Sequence, residues 1–78
     1  MKLYDKILEE LAQLLKMDVA ELNETSGMDN IEAWDSLKHM NIIIAFEEEY
    51  KIVFEDDEIG EITTVRMLYE VIKEKLET

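Results

Sequence analysis

A chain of 78 residues supports one small domain, close to the size at which a single hydrophobic core only just offsets chain entropy. Twenty acidic residues against eight basic ones give a formal net charge of -12, which repels nucleic-acid phosphates and anionic membranes and favours partners with basic patches. The absence of cysteine excludes disulfides and thiolate metal sites, and 47% hydrophobic residues in periodic spacing argue against disorder.

From Leu3 to Leu15 the apolar positions Ile7, Leu8, Leu11, Leu14 and Leu15 recur at helical spacing, with Asp5, Lys6, Glu9 and Glu10 on the other face. The charges scattered through Met1 to Leu15 exclude a signal peptide. Residues 17 to 35 read as a long structured loop, in which Asp18 caps a brief turn with Glu21 and Ser26-Gly27 breaks any longer helix. Connections of that length in small domains are often functional.

A second helix is predicted from Asp35 or Ser36, both good N-cap residues, to Tyr50. Leu37, Met40, Ile43, Phe46 and Tyr50 supply its buried stripe, which Ile42 widens. The run Ile42-Ile43-Ile44 also suits a strand, but Glu47-Glu48-Glu49 directly after it, with no turn signal, favours helix. The longest apolar run, Ile42 to Phe46, is too short to span a bilayer, so a cytoplasmic protein with no membrane insertion is expected. "EDDEIGEI" offers a short acidic helix over 56 to 61 with Gly60 as its stop. Thr63 or Thr64 then caps a last helix to about Leu76, with Val65, Leu68, Tyr69, Ile72 and Leu76 inside. The expected fold is all-α, a small four-helix bundle of three main helices and one short one, as a single domain over residues 1 to 78.

Asp35, Ser36 and His39 are the one grouping with the makings of nucleophilic catalysis. A triad needs the base to reach the serine and the acid to orient the base from its far side. Asp35 adjoins Ser36 and His39 stands one turn on, which is poor geometry, so His39 reads as a partly exposed helix residue and the chain as a non-enzyme. Calcium loops fail too. A loop with its glycine at Gly60 puts Ile59 and Arg66 at ligand positions, and one built on Gly27 begins at Leu22, so no metal is expected. For Ser36 two readings stay open: a simple N-cap, or a phosphate ester placed where helix amides are unpaired and the dipole is positive.

"DSLKHMNIIIAFEEEYKIVFEDDEIGEITTVRMLYEVI" resembles the acyl carrier protein family, whose pattern is Asp-Ser-Leu opening a helix that ends in "LEEEF", then a short acidic helix and "ITTV". The matching residues are Asp35-Ser36-Leu37, Phe46 to Tyr50, and Ile62-Thr63-Thr64-Val65. The resemblance implies that Ser36 receives 4'-phosphopantetheine from coenzyme A by the action of a separate phosphopantetheinyl transferase, flanked by Trp34, Asp35 and Leu37. The arm ends in the thiol that this chain lacks, and would carry acyl groups as thioesters to partner enzymes of a fatty-acid-like or specialised pathway. An aminoacyl or peptidyl carrier, and an unmodified interaction module of the same fold, are the alternatives.

Three departures from the family pattern are informative. Glu32-Ala33-Trp34 stands where many members have a small residue, often with a glycine just upstream; the tryptophan either packs over the core or contacts the arm. Lys38 and Asn41 replace the acids usual in fatty-acid carriers, and the acidity shifts to residues 47 to 61, with eight acids and one lysine. Glu47, Glu48, Asp56 and Asp57 are therefore the expected docking residues for loading and transferring enzymes with basic patches. Finally, Phe46 and Leu68 fall where smaller residues are frequent. An acyl pocket formed by Phe46, Tyr50, Phe54, Ile62 and Leu68 should then be tight, which predicts short or polar cargo. High charge and small size favour a monomer.

Overall fold

Amphipathic spacing over Lys2–Leu15 buries Ile7, Leu11, Ala12 and Leu15, forming α1 in the computed structural model, which describes residues 2–77. α1 ends without glycine. Lys16 takes the left-handed conformation at φ 58°, and two reverse bonds, Met17 N–H to Ala12 O at 2.9 Å and Lys16 N–H to Gln13 O at 3.3 Å, close the last turn. A 3-10 turn, Val19–Glu21, follows, with the Asp18 amide donating to Glu21 Oε1 at 3.1 Å as the spacing predicts.

α2 spans Ser36–Tyr50, so the isoleucine run is helical, and it ends as α1 does, with Lys51 left-handed and Ile52 N–H reaching back to Glu47 O. A lysine at both ends suits the negative pole of the helix dipole. α3 is Asp56–Glu61 and α4 is Val65–Glu77. The expected stop at Gly60 is displaced by one residue: Gly60 lies inside α3, and Ile62 is the C-cap. Thr64 is the residue that caps α4, its hydroxyl accepting from Met67 N–H.

The long loop over 17 to 35 is built into the bundle. Val65 N–H donates to Ser26 O at 2.8 Å and Arg66 N–H to Glu24 O at 3.1 Å, which satisfies the first-turn amides of α4 that have no partner within their helix. Gly27 bridges antiparallel to Thr64, and a Cβ there would collide with the Thr63 carbonyl oxygen. That close approach requires glycine.

One core joins all of these elements: Ile7 and Leu11 of α1, Trp34 of the loop, Ile42, Ile43 and Phe46 of α2, Ile62, and Val65, Leu68 and Ile72 of α4 are each at most 1% exposed. Two stripes differ from expectation. On α2 the inward face carries His39, Ile42, Ile43 and Phe46, whereas Leu37 is 74% and Met40 43% exposed. α2 is apolar on nearly every side, so periodicity alone could not select its buried face. On α4 Leu76 is exposed, because the core ends one turn earlier at Ile72.

α3 has no fully buried residue; Ile59 packs half-buried against the core, and a pair from α4 adds to that hold. Lys75 of α4 pairs with Glu58 at 2.8 Å, both side chains being about four-fifths shielded, and its ammonium also lies over the Phe54 ring. The Glu55 amide bond and then the Lys75 bond hold the Glu58 carboxyl below its ordinary range. A depressed folded value means that this stability is complete above the unfolded glutamate value of about 4.3 and disappears as pH falls through the lower folded value. The difference in thermal midpoint between the parent and Lys75→Met should thus be largest near neutrality and shrink in acid. An unchanged difference down to the acid limit of folding would contradict the assignment.

Candidate functional site

Ser36 is the first residue of α2 and is exposed. Asp35, in extended conformation, caps the helix: its Oδ1 accepts from Lys38 N–H at 2.8 Å, and its carbonyl accepts from His39 N–H at 2.8 Å. The Asp35 side chain therefore orders the helix start on which Ser36 sits. An exposed hydroxyl at such a start, next to first-turn amides with no intrahelical acceptor, fits a phosphodiester. Leu37 points into solvent, and the exposed Met40 and Ile44 continue an apolar row away from Ser36. Glu48 lies one turn beyond Ile44 in the same row.

His39 corrects the sequence expectation. It is 6% exposed rather than partly exposed, and both ring nitrogens are engaged. Trp34 Nε1–H donates to His39 Nδ1 at 3.0 Å, and His39 Nε2 meets the Ile59 carbonyl at 2.9 Å. Neither nitrogen is left to activate Ser36, which argues directly against a serine–histidine nucleophile. Trp34, 1% exposed, packs into the core beside the site with its ring stacked against the imidazole, centroids 6.1 Å apart. The Ile59 carbonyl had no signal in the sequence, since its bond to His39 links residues twenty positions apart.

The proposed pocket residues share the core. Phe46, Ile62 and Leu68 are fully buried and Phe54 is 5% exposed, whereas Tyr50 is half-buried and stacks on Phe46 with centroids 6.0 Å apart. Burial, with Glu10 and Glu49 adding repulsion, pushes the Tyr50 phenol upward. Among the expected docking acids, Glu48, Asp56 and Asp57 are exposed. Glu47 is different: its Oε2 accepts from Phe54 N–H at 2.8 Å, which fastens the chain after α2 to that helix. Among the described residues no group of three or more His, Asp or Glu side chains is arranged to hold a metal, and no helix is long and apolar enough to cross a membrane.

Comparison with known proteins gives the family. The family model described as the phosphopantetheine attachment site matches residues 5–72. An acyl carrier protein of Petrotoga mobilis is 33% identical over 96% of this chain and 88% of its own length. The polyketide-8 synthase acyl carrier protein 2 of Streptomyces avermitilis is 30% identical over 92% of this chain and 83% of its own. The solution NMR structure of a holo acyl carrier protein from Geobacter metallireducens superposes with a TM-score of 0.87 at 32% identity, covering 99% of this chain and 88% of that one. The family model matched over residues 5–72, and relatives about one-third identical over nearly the whole chain, place this chain in the acyl carrier protein family.

Proposed function

We propose that Ser36 is the attachment point of 4'-phosphopantetheine and that the holo-protein delivers acyl thioesters to enzymes of a specialised pathway. The chain is a carrier and not an enzyme, in keeping with its family. When attached, the arm supplies a terminal thiol that the cysteine-free chain lacks, on a tether that raises the local concentration of cargo at a partner's active site. The observation that carries the attachment is the exposed Ser36 hydroxyl at the start of a helix capped by Asp35.

Docking falls to the surface around it. Leu37, Met40 and Ile44 form an exposed apolar row leading from Ser36, with Glu48, Asp56 and Asp57 supplying negative charge further on. Partners with an apolar groove and a basic rim fit such a surface, the charges governing encounter rate and the apolar row residence. Lys38 and Asn41 keep the first turns of α2 free of acids, which favours partners other than those of a general fatty-acid carrier. The buried Phe46, Ile62 and Leu68 leave little spare volume and favour short or polar cargo. The protein is read as a cytoplasmic monomer whose small, strongly charged surface opposes self-association.

A standard fatty-acid ketosynthase, assayed at low salt with equal acyl loading, should show a KM for this carrier at least fivefold above that for its native carrier. Equal KM values would remove the case for dedicated partners.

A further inference from the structure

Trp34, His39 and Ile59 come from three different segments, the long loop, α2 and α3, and meet in one hydrogen-bonded chain. Its direction is fixed by chemistry. An indole N–H can only donate and a peptide carbonyl can only accept, so the imidazole between them must accept at Nδ1 and donate from Nε2. The opposite tautomer would set N–H against N–H at Trp34 and a lone pair against a lone pair at Ile59. The indole thereby selects the imidazole form that grips α3.

α3 needs that grip. It is six residues long and none of them is fully buried, Ile59 alone being a half-buried hydrophobe against the core, so its own packing holds it weakly. Among its described attachments are the packing of Ile59 on the core, the Glu58–Lys75 pair and the bond from His39 to the Ile59 carbonyl. His39 stands one helical turn beyond Ser36, so this bond fixes α3 to the same turn of α2 that presents the serine.

Resting on the carrier reading of Ser36, we propose that Trp34 and His39 are positioning residues that set α3 in place beside Ser36, so that enzymes acting at Ser36 meet that surface preformed. A partner docking on a loosened α3 would have to order it on binding, which weakens association and leaves the chemistry, performed by the partner's own groups, unchanged. The signature is a rise in KM for the carrier with little change in kcat.

The test uses the apo-protein with a promiscuous phosphopantetheinyl transferase, coenzyme A and magnesium. Trp34→Phe removes the indole N–H and keeps an aromatic ring; His39→Leu removes both ring bonds; His39→Gln offers an amide oxygen to the indole and an amide N–H to Ile59. Trp34→Phe and His39→Leu should raise KM about fivefold to tenfold with kcat within twofold, and His39→Gln should recover most of the loss. Nitrogen NMR of the parent should show His39 Nδ1 unprotonated and Nε2 protonated. In Trp34→Phe the amides of Ile59 and Ile62 should exchange faster, while those of α1 do not. A parent with Nδ1 protonated, or unchanged KM in the folded variants, would overturn the proposal while leaving the carrier reading intact. If Trp34→Phe does not fold, the His39→Leu and His39→Gln pair decides by the same comparison. Failure of the parent to be modified at all would overturn the Ser36 assignment itself, and this inference with it.

Discussion

Ser36→Ala should abolish covalent loading completely while leaving the fold intact. In the parent, incubation with a phosphopantetheinyl transferase, coenzyme A and magnesium should add one phosphopantetheine to the intact mass; in the variant, none. The reason is chemical. The transfer needs a hydroxyl oxygen to bond to phosphorus, and no neighbouring side chain can substitute, because the Asp35 carboxylate caps the helix and His39 is enclosed between Trp34 and Ile59. Structural loss should be small, since the exposed Ser36 is not the capping residue and alanine is a strong helix former at the position after the cap. An unchanged circular dichroism spectrum and thermal midpoint would therefore accompany total loss of loading. Retained loading in Ser36→Ala would place the attachment at another hydroxyl.

Phe46→Ala should have the largest effect on stability, about 3–5 kcal/mol, as expected for an aromatic side chain removed from a packed core. Phe46 is fully buried near the middle of the helix that joins Ser36 to the core, and it stacks on Tyr50. Domains as a class have only about 5–15 kcal/mol of net stability, so a 78-residue chain should become partly unfolded at ambient temperature. Urea titration checks it: the midpoint should fall with an unchanged slope. The milder Phe46→Leu keeps a core hydrophobe but frees volume among the proposed pocket residues. If Phe46 limits cargo, acyl chains loaded on the Leu variant should perturb core chemical shifts at greater chain lengths than in the parent. Core shifts that already grow with length up to long chains in the parent would show that the interior opens regardless of Phe46.

Much of this was legible in the amino-acid order. The spacing of Ile7, Leu11 and Leu15, the helix start expected at Asp35 or Ser36, of which Asp35 is the cap, and the Asp18–Glu21 turn all rest on contacts within four residues. The four helices in their order, and Asp35-Ser36-Leu37 at the head of the second, follow from the same short-range rules. Ser36 stood out as a candidate only when Asp35-Ser36-Leu37 was read with Phe46 to Tyr50 and Ile62 to Val65, because its local signal alone is equally that of an N-cap serine.

Tertiary structure decided the rest, for reasons of distance and degeneracy. α2 has apolar residues on several faces, so only tertiary packing could choose to bury Ile43 in the shared core and His39 between Trp34 and Ile59, and leave Leu37 and Met40 in solvent. Both helix ends at Lys16 and Lys51 adopt a conformation usually marked by glycine, supported by carbonyl bonds reaching back into the last turn. The partnering of Trp34, His39 and Ile59 spans more than a single helix and depends on where α3 comes to lie. Short-range chemistry thus determined which helices form and where the serine stands, whereas the close packing of those helices determined which side chains surround it and which stay exposed.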